Sequence, residues 1–212
     1  MPIYVMLNYT SLVRDVTVIA HEMGHAINHH FLFQHEKTIH SSTSLATAEV
    51  ASTLMEDVVL QYLVKNYPGD EMKLGLLIKK LDDCVASIQR QVAAYSFEQA
   101  IHNTFRVTGY VSKETMGKLF HNHMTAYLGE AVTFLPGDQR KRVLRTHFRR
   151  PFYVYSYASG LLISMALQKK VKENPVFIAE VKKLLSTGLS VSPREAFLRA
   201  GINITERSFR ET

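Results

Sequence analysis

Two histidines and a glutamate near the amino terminus are the residues best suited to chemistry in this sequence. His21 and His25 are four residues apart, and Glu22 lies between them. Side chains four positions apart lie on one face of an α-helix, so both imidazoles could bind the same metal ion. Glu22 lies one step around the helix, where it could act on a metal-bound water without becoming a third ligand. The segment therefore predicts a metal site if it is helical.

This spacing is the HExxH motif, which is typical of zinc peptidases when it lies on a helix. A catalytic zinc needs a third protein ligand and an open position for water. Glu49, early in the next predicted helix, is the best candidate if the two helices pack side by side. Glu56 lies seven residues further along the same face and could hold the free ring nitrogen of His21 or His25. A purely structural metal site is the alternative, and it would have a fourth protein ligand.

A second group of hydrogen-bond donors lies late in the chain, between His147 and Tyr157. Tyr153 and Tyr157 are four residues apart and share a helix face, whereas Tyr155 points roughly the other way. Hydroxyls and a protonated histidine are suitable donors to the oxyanion that develops when a carbonyl is attacked. Composition alone favours the alternative, in which these aromatic side chains pack in a core.

The elements that must position these groups are mostly helices. The segment Ile3–Tyr9 predicts a short strand, which would need a pairing partner that no other segment clearly supplies. Thr10 or Ser11 could cap the helix that carries the motif and runs to about His35. Periodic apolar residues and turn signals predict further helices at about Leu45–Asn66, Glu71–Phe105, Lys113–Leu128, Phe152–Val171 and Val176–Leu185, and a last one after Ser192.

Length and composition predict one mostly α-helical domain. The chain has 212 residues, of which 46% are hydrophobic, and its one cysteine, Cys84, excludes an intrachain disulfide. We expect no membrane span and no signal peptide. The net charge is +6, and the densest basic run is Arg140–Arg142 with Arg145, Arg149 and Arg150. That run could attract nucleic acid or an acidic substrate, but no nucleic-acid-binding motif accompanies it, which favours a solvated helix face.

The sequence resembles the C-terminal catalytic region of oligoendopeptidase F, a member of the thimet oligopeptidase family of zinc metallopeptidases. The matching segments follow in the same order along essentially the whole chain. They are Leu7–Thr10, Leu12–Asp15, His21–Ala26, Ala48–Thr53 with Glu56, Arg90-Gln91, Phe97-Glu98, Ile101-His102, His147-Phe148, Phe152–Gly160, Ser192-Pro193 and Ala200–Ile202.

The resemblance implies a mostly α fold, with a single zincin-type catalytic domain over residues 1–212. The short β-strand that composition predicts at Ile3–Tyr9 would precede the HExxH helix. It implies one Zn²⁺ per chain, bound by His21, His25 and Glu49, with Glu22 as the general base. It also implies that His147, Tyr153 and Tyr157 contact the substrate or stabilise the tetrahedral intermediate. Tyr155 is the alternative to these tyrosines.

The activity that the resemblance implies is zinc-dependent endopeptidase cleavage of short, unfolded oligopeptides in the cytoplasm. Two departures leave alternatives open: the family's N-terminal helical part is absent from this sequence, and Arg149 stands where the family usually has tyrosine. One alternative is a weak or inactive remnant that binds metal or peptide, and another is one subunit of a split peptidase. We therefore expect a peptide substrate, a partner chain equivalent to the N-terminal half or a homo-oligomer, and neither nucleic acid nor a membrane as partner.

Overall fold

The computed structural model describes residues 2–130, 132–206 and 209. We number its α-helices in chain order as α1 (Val13–His35), α2 (Val50–Asn66), α3 (Asp70–Val85), α4 (Gln91–Thr108), α5 (Lys113–Leu128), α6 (Tyr155–Glu173), α7 (Ile178–Leu185) and α8 (Pro193–Arg199). A π-helical turn, Ala86–Arg90, joins α3 to α4. Short 3₁₀ segments cover Thr38–His40, Asp138–Leu144, Thr146–Arg149 and Pro175–Phe177.

The prediction of a mostly α fold is confirmed, but the predicted strand Ile3–Tyr9 is wrong. These residues have no regular secondary structure, and no strand is found anywhere in the described part of the chain. A strand requires a hydrogen-bonding partner, and none of the described residues provides one. The β-branched and aromatic residues of the segment therefore favour a strand locally, but they lack the partner that a strand needs. Its side chains are exposed, with Tyr4 at 88% and Met6 at 96%.

The chain divides into two compact units. Unit 1 comprises Met1–Lys80 and Ser159–Thr212, and unit 2 comprises Leu81–Ala158. In unit 1, α2, α6, α7 and α8 contribute buried apolar side chains to one core, among them Val50, Leu167, Leu184 and Phe197. The prediction of one catalytic domain over residues 1–212 stays a prediction.

Unit 2 has a core of its own, built on aromatic contacts between α4, α5 and the segment that follows α5. Phe97 packs edge-on against Phe120 and against Phe148, with ring centroids 5.3 and 5.2 Å apart. Such edge-to-face pairs add to the stabilisation that burial of the rings supplies. Phe148 is the neighbour of His147 in the chain, so this core anchors the segment that carries that candidate residue.

Local signals account for the helix ends on both sides of the turn between α4 and α5. Gly109 adopts a left-handed conformation (φ 71°) after α4, and Ser112 accepts a hydrogen bond from the Thr115 N–H at 3.1 Å at the start of α5. The start of α2 differs from the prediction, since it begins at Val50 and not near Leu45, and residues 45–49 form turns. Within the described residues, no helix combines the length and the apolarity that a membrane crossing requires.

Candidate metal centre and histidine–tyrosine cluster

The helix that carries the HExxH motif is fastened at its start by Asp15. The Asp15 carboxylate accepts hydrogen bonds from the Thr10 N–H at 2.7 Å, the Thr10 hydroxyl at 3.0 Å and the Leu12 N–H at 3.1 Å. Chiefly the Thr10 N–H, and also that of Leu12, holds the pKa of Asp15 below its ordinary value despite partial burial. These bonds satisfy amide groups at the helix start and set where the first turn of α1 begins.

A close approach of α1 to α2 brings the motif to Glu49. A Cβ atom at Gly24 would lie 2.6 Å from the Ala51 carbonyl oxygen and 2.6 Å from the Ser52 Cα. No real side chain fits at such distances, so Gly24 is what permits the two backbones to touch. Because Gly24 directly precedes His25 and α2 begins one residue after Glu49, this contact sets the distance between the histidines and the carboxylate.

Three candidate ligand atoms converge in this region of unit 1. His21 Nε2 lies 3.2 Å from His25 Nε2, and each nitrogen lies 3.5 Å from Oε2 of Glu49. The Glu49 side chain is 3% exposed, whereas His21 and His25 are 23% and 28% exposed. The structure thus brings together all three residues that the sequence nominated as metal ligands.

The geometry and the chemistry of this donor set fit zinc. Ligand atoms about 2.0–2.2 Å from a tetrahedral zinc are separated from one another by about 3.3–3.6 Å, close to the separations in this cluster. Two imidazoles and one glutamate are also a ligand set of catalytic zinc sites. Among the described residues, the cluster contains only His21, His25 and Glu49, so a fourth protein ligand, which a structural site would have, is not found there.

Neighbouring side chains orient the candidate ligands. His21 Nδ1 lies 2.7 Å from Oε1 of Glu56, as the seven-residue spacing of Glu56 from Glu49 suggested. If Nδ1 carries the proton and donates it to this carboxylate, the lone pair of Nε2 is left facing Glu49. Ser52 donates its hydroxyl to Glu49 Oε2 at 2.9 Å. A Cβ at Gly160 would lie 2.6 Å from the Glu49 Cβ, so the start of α6 leaves Glu49 little freedom.

Burial and acidic neighbours together shift the pKa values of the two histidines. Burial lowers the pKa of His21, but the hydrogen bond and charge of Glu56, with the charges of Glu49 and Glu22, raise it above its ordinary value. Burial is the main cause that holds the pKa of His25 below its ordinary value, because Glu49 only partly offsets it. The charge of half-buried Glu22 acts to raise the pKa of both imidazoles, because Glu22 lies next to them on α1.

The late donor group forms a cluster within unit 2. Tyr157 and His147 are hydrogen-bonded, with the hydroxyl oxygen 2.9 Å from Nε2. The Tyr153 ring stacks on the His147 ring at 5.5 Å and 14°, and it meets the Tyr157 ring edge-on at 5.7 Å. We call these three residues the histidine–tyrosine cluster. The structure thus brings together His147, Tyr153 and Tyr157, the three donors predicted from the sequence. Their chemical roles stay predictions.

Tyr155 and Arg149, which the sequence analysis also names, lie close to this cluster along the chain. Tyr155 is 37% exposed at the start of α6, and burial and then the proximity of Tyr95 raise its pKa. Arg149 is exposed at the end of a 3₁₀ segment. Tyr153 and Tyr157 are therefore the tyrosines with described ring contacts to His147, and Tyr155 has a different neighbour.

Four residues that shape the candidate metal centre received no such role from the sequence. Asp15 could have been found as an acidic residue in the first turn of a helix, three positions after Leu12. Gly24, as a glycine inside a helix, signalled a packing constraint. The bond of Ser52 to Glu49 had no sequence signal. The contact of Gly160 with Glu49 joins residues from opposite halves of the chain and had no sequence signal either.

The chain is similar to known peptidases over nearly its whole length. The family model described as peptidase family M3 matches residues 2–210. The chain is 30% identical over 207 residues to an oligoendopeptidase F homolog of Borreliella burgdorferi, and the match covers 97% of this chain and 35% of that protein. It is 25% identical over 205 residues to the oligopeptidase PepF of Bacillus subtilis, covering 95% of this chain and 30% of that protein.

A solved structure shows the same fold. The crystal structure of oligoendopeptidase-F from Enterococcus faecium aligns with a TM-score of 0.70 and 26% identity, covering 94% of this chain and 36% of that one. The chain thus spans about a third of the length of the proteins that it matches.

Proposed function

Because this chain belongs to peptidase family M3, we propose that it is the metal-binding catalytic part of a zinc-dependent metalloendopeptidase. Its substrates in this proposal are short, unfolded oligopeptides, which it cleaves in the cytoplasm. The observation that carries the proposal is the convergence of His21 Nε2, His25 Nε2 and Glu49 Oε2 within 3.2–3.5 Å of one another. Glu22 lies beside this cluster on the same helix and is the candidate general base.

Each residue of the centre has a defined task in this proposal. His21, His25 and Glu49 would hold one Zn²⁺, which when bound lowers the pKa of a coordinated water to about 7 and polarises the scissile carbonyl. Glu22 accepts the proton of the attacking water and later delivers it to the leaving amine. Glu56 keeps the His21 ring in the orientation and tautomer that metal binding requires.

The histidine–tyrosine cluster is proposed to serve the substrate. Its hydroxyls and the His147 imidazole can donate hydrogen bonds, which is what a developing oxyanion needs in addition to the metal. The support for this assignment is the ordered match of the His147–Tyr157 segment to the family, together with the hydrogen bond between Tyr157 and His147.

Zinc content and peptide cleavage test the proposal together. We expect one zinc per chain, and cleavage of a quenched fluorescent peptide that is lost in Glu22→Gln while zinc stays bound. A matched control is Glu114→Gln, which removes an exposed carboxylate on α5 in unit 2. The wild-type chain should be tested alone and mixed with the part of a relative that this chain does not span. If it binds zinc but cleaves no peptide in either sample, the proposed enzyme activity is contradicted. That result would favour a metal- or peptide-binding remnant.

We further propose that the chain associates with another polypeptide, either one equivalent to the remaining part of its longer relatives or a second copy. Exposed apolar residues of the extended amino-terminal segment support this proposal, since large side chains such as Tyr4 and Met6 are otherwise costly to leave in water. Light scattering of the chain alone, and of its mixture with such a polypeptide, tests it. A chain that stays monomeric in both samples would exclude this association.

A further inference from the structure

Glu98 on α4 is a buried carboxyl group that the proposed chemistry leaves without a role. The residue is 4% exposed, and its Oε1 accepts a hydrogen bond from the Phe152 N–H at 3.1 Å. Its Oε2 is buried without a hydrogen-bond partner among the described residues. Burial raises the pKa of Glu98 above its ordinary value, and the Phe152 N–H and the charge of His102 oppose that shift only in part. The site therefore makes ionisation of this carboxyl group less favourable than in water, and Oε1 accepts the Phe152 hydrogen bond.

Phe152, the residue that Glu98 holds, has an unusual backbone conformation. Its φ is 57°, in the left-handed region that residues other than glycine rarely adopt. A bulky residue persists there only where its surroundings hold it. Phe152 directly precedes Tyr153, so its φ sets the direction in which the chain enters the histidine–tyrosine cluster.

One face of α4 supplies all of the described contacts that hold Phe152. Tyr95, Glu98 and His102 are spaced by three and then four residues, so they lie on the same side of the helix. The Phe152 ring lies 5.4 Å from the Tyr95 ring and 5.0 Å from the His102 ring, the latter stacked at 30°. Two rings thus hold its side chain, and the Glu98 carboxyl group holds its backbone.

We propose that Glu98 is a positioning residue for the histidine–tyrosine cluster: by binding the Phe152 N–H it fixes the left-handed turn that presents Tyr153 and Tyr157 to His147. The consequence for catalysis rests on the proposed function, since it requires that the cluster act on substrate. The positioning itself does not, because every contact that carries it lies within unit 2. Without the acceptor, Phe152 loses a backbone hydrogen bond and relaxes its φ, and Tyr153 turns away from His147.

Two variants of matched length separate the hydrogen bond from packing. Glu98→Met fills the same space without a strong acceptor, whereas Glu98→Gln keeps a carbonyl oxygen for the Phe152 N–H. We expect kcat to fall about tenfold or more in Glu98→Met, with KM within about twofold, because a small displacement of catalytic groups costs rate more than binding. Glu98→Gln should stay within about twofold of wild type in both constants. Thr104→Ala, on the same helix, is the control, because within the described part of the chain the Thr104 hydroxyl bonds only to the Ala100 carbonyl of α4.

A readout that is independent of turnover completes the test. The imidazole ¹⁵N signals of His147, assigned with His147→Gln, should shift in Glu98→Met and stay unchanged in Glu98→Gln and Thr104→Ala. This measurement decides the positioning role even if the wild-type chain has no peptidase activity. If Glu98→Met does not fold, Glu98→Leu, which also lacks an acceptor, replaces it. An acceptor-deficient variant with wild-type kcat and wild-type His147 signals would overturn the proposal, and so would a Glu98→Gln variant that loses as much kcat as Glu98→Met.

Discussion

The Nδ1 atom of His21 lies 2.7 Å from Oε1 of Glu56, one helix away. The opposite nitrogen of the same ring, Nε2, faces Glu49 Oε2 at 3.5 Å. One imidazole therefore contacts two carboxylates of different kinds, a half-exposed one that orients the ring and a buried one that belongs to the candidate ligand set. This arrangement makes the contribution of each carboxylate separately measurable.

Removing the orienting carboxylate should weaken metal binding. We expect Glu56→Ala to lower zinc affinity by about 10- to 100-fold, because the His21 ring loses the partner that fixes its tautomer. Competition with a chromophoric chelator measures this change. Asp57→Asn is the matched control, since the neighbouring Asp57 contacts Lys80 and Gln61 and neither histidine. Equal zinc affinities for Glu56→Ala and wild type would refute the orienting role.

Ser52 should matter to the metal centre through Glu49. Ser52→Ala removes the hydroxyl that donates to Glu49 Oε2 at 2.9 Å, and a hydrogen bond to a charged group is worth about 1.5–3 kcal/mol. We expect weaker zinc binding in titration calorimetry, with the overall fold retained. Ser164→Ala is the control, because Ser164 is equally buried and, among the described residues, its hydroxyl bonds only to the Leu161 carbonyl of its own helix. Identical calorimetric curves for the two variants would show that Ser52 has no special role.

The contact between α1 and α2 should not tolerate a methyl group at Gly24. A Cβ there would meet the backbone of Ala51 and Ser52, so we expect Gly24→Ala to lower the free energy of unfolding by about 1–3 kcal/mol and to weaken zinc binding. Urea unfolding measures the first effect. Gly75→Ala should instead be neutral or stabilise by up to about 1 kcal/mol, because its added Cβ meets no described atom within 4 Å beyond its chain neighbours and the backbone of its own helix, and alanine favours the helix. Equal stabilities of the two variants would contradict a tight contact.

The hydrogen bonds to Asp15 should make stability depend on pH in the acid range. The folded-state pKa of Asp15 is lowered, chiefly by the Thr10 N–H, so the unfolded chain binds the proton more tightly. Its stabilisation is therefore fully present above the unfolded pKa of about 3.9 and is lost as pH falls through the lower folded pKa. Thermal unfolding of Asp15→Asn should show a deficit near neutral pH that shrinks in acid. Asp82→Asn, at an exposed position on α3, should show none, and a pH-independent deficit for Asp15→Asn would contradict this linkage.

Glu98 should produce the opposite pH dependence. Its folded-state pKa is raised by burial, so its protonated form stabilises the folded chain. That contribution is complete below the unfolded pKa of about 4.3 and is lost as pH rises through the folded value. Glu98→Gln cannot ionise, so its stability relative to wild type should increase over this range. The measurement is urea unfolding across that pH series, and a constant difference between Glu98→Gln and wild type would argue against a raised pKa.

Features that depend on neighbours in the chain could be predicted from the sequence. The four-residue spacing of His21 and His25 places both on one helix face whatever the tertiary context, and the same periodicity related Glu49 to Glu56. The bounds of α5, Lys113–Leu128, were predicted from local signals in the same way. The predicted strand failed because a strand is stabilised only by a partner, and no residue around Ile3–Tyr9 encodes one.

Packing between distant segments decided the rest. The sequence by itself determined which residues could bind a metal, because helical periodicity is a local property. Only the tertiary structure decided that Gly24 would let α1 touch α2, that Ser52 would hold Glu49, and that α4 would hold Phe152 through Glu98. These contacts join residues far apart in the chain, and their formation depends on which surfaces bury each other. Local spacing therefore predicted the candidate ligands, and long-range packing set their distances.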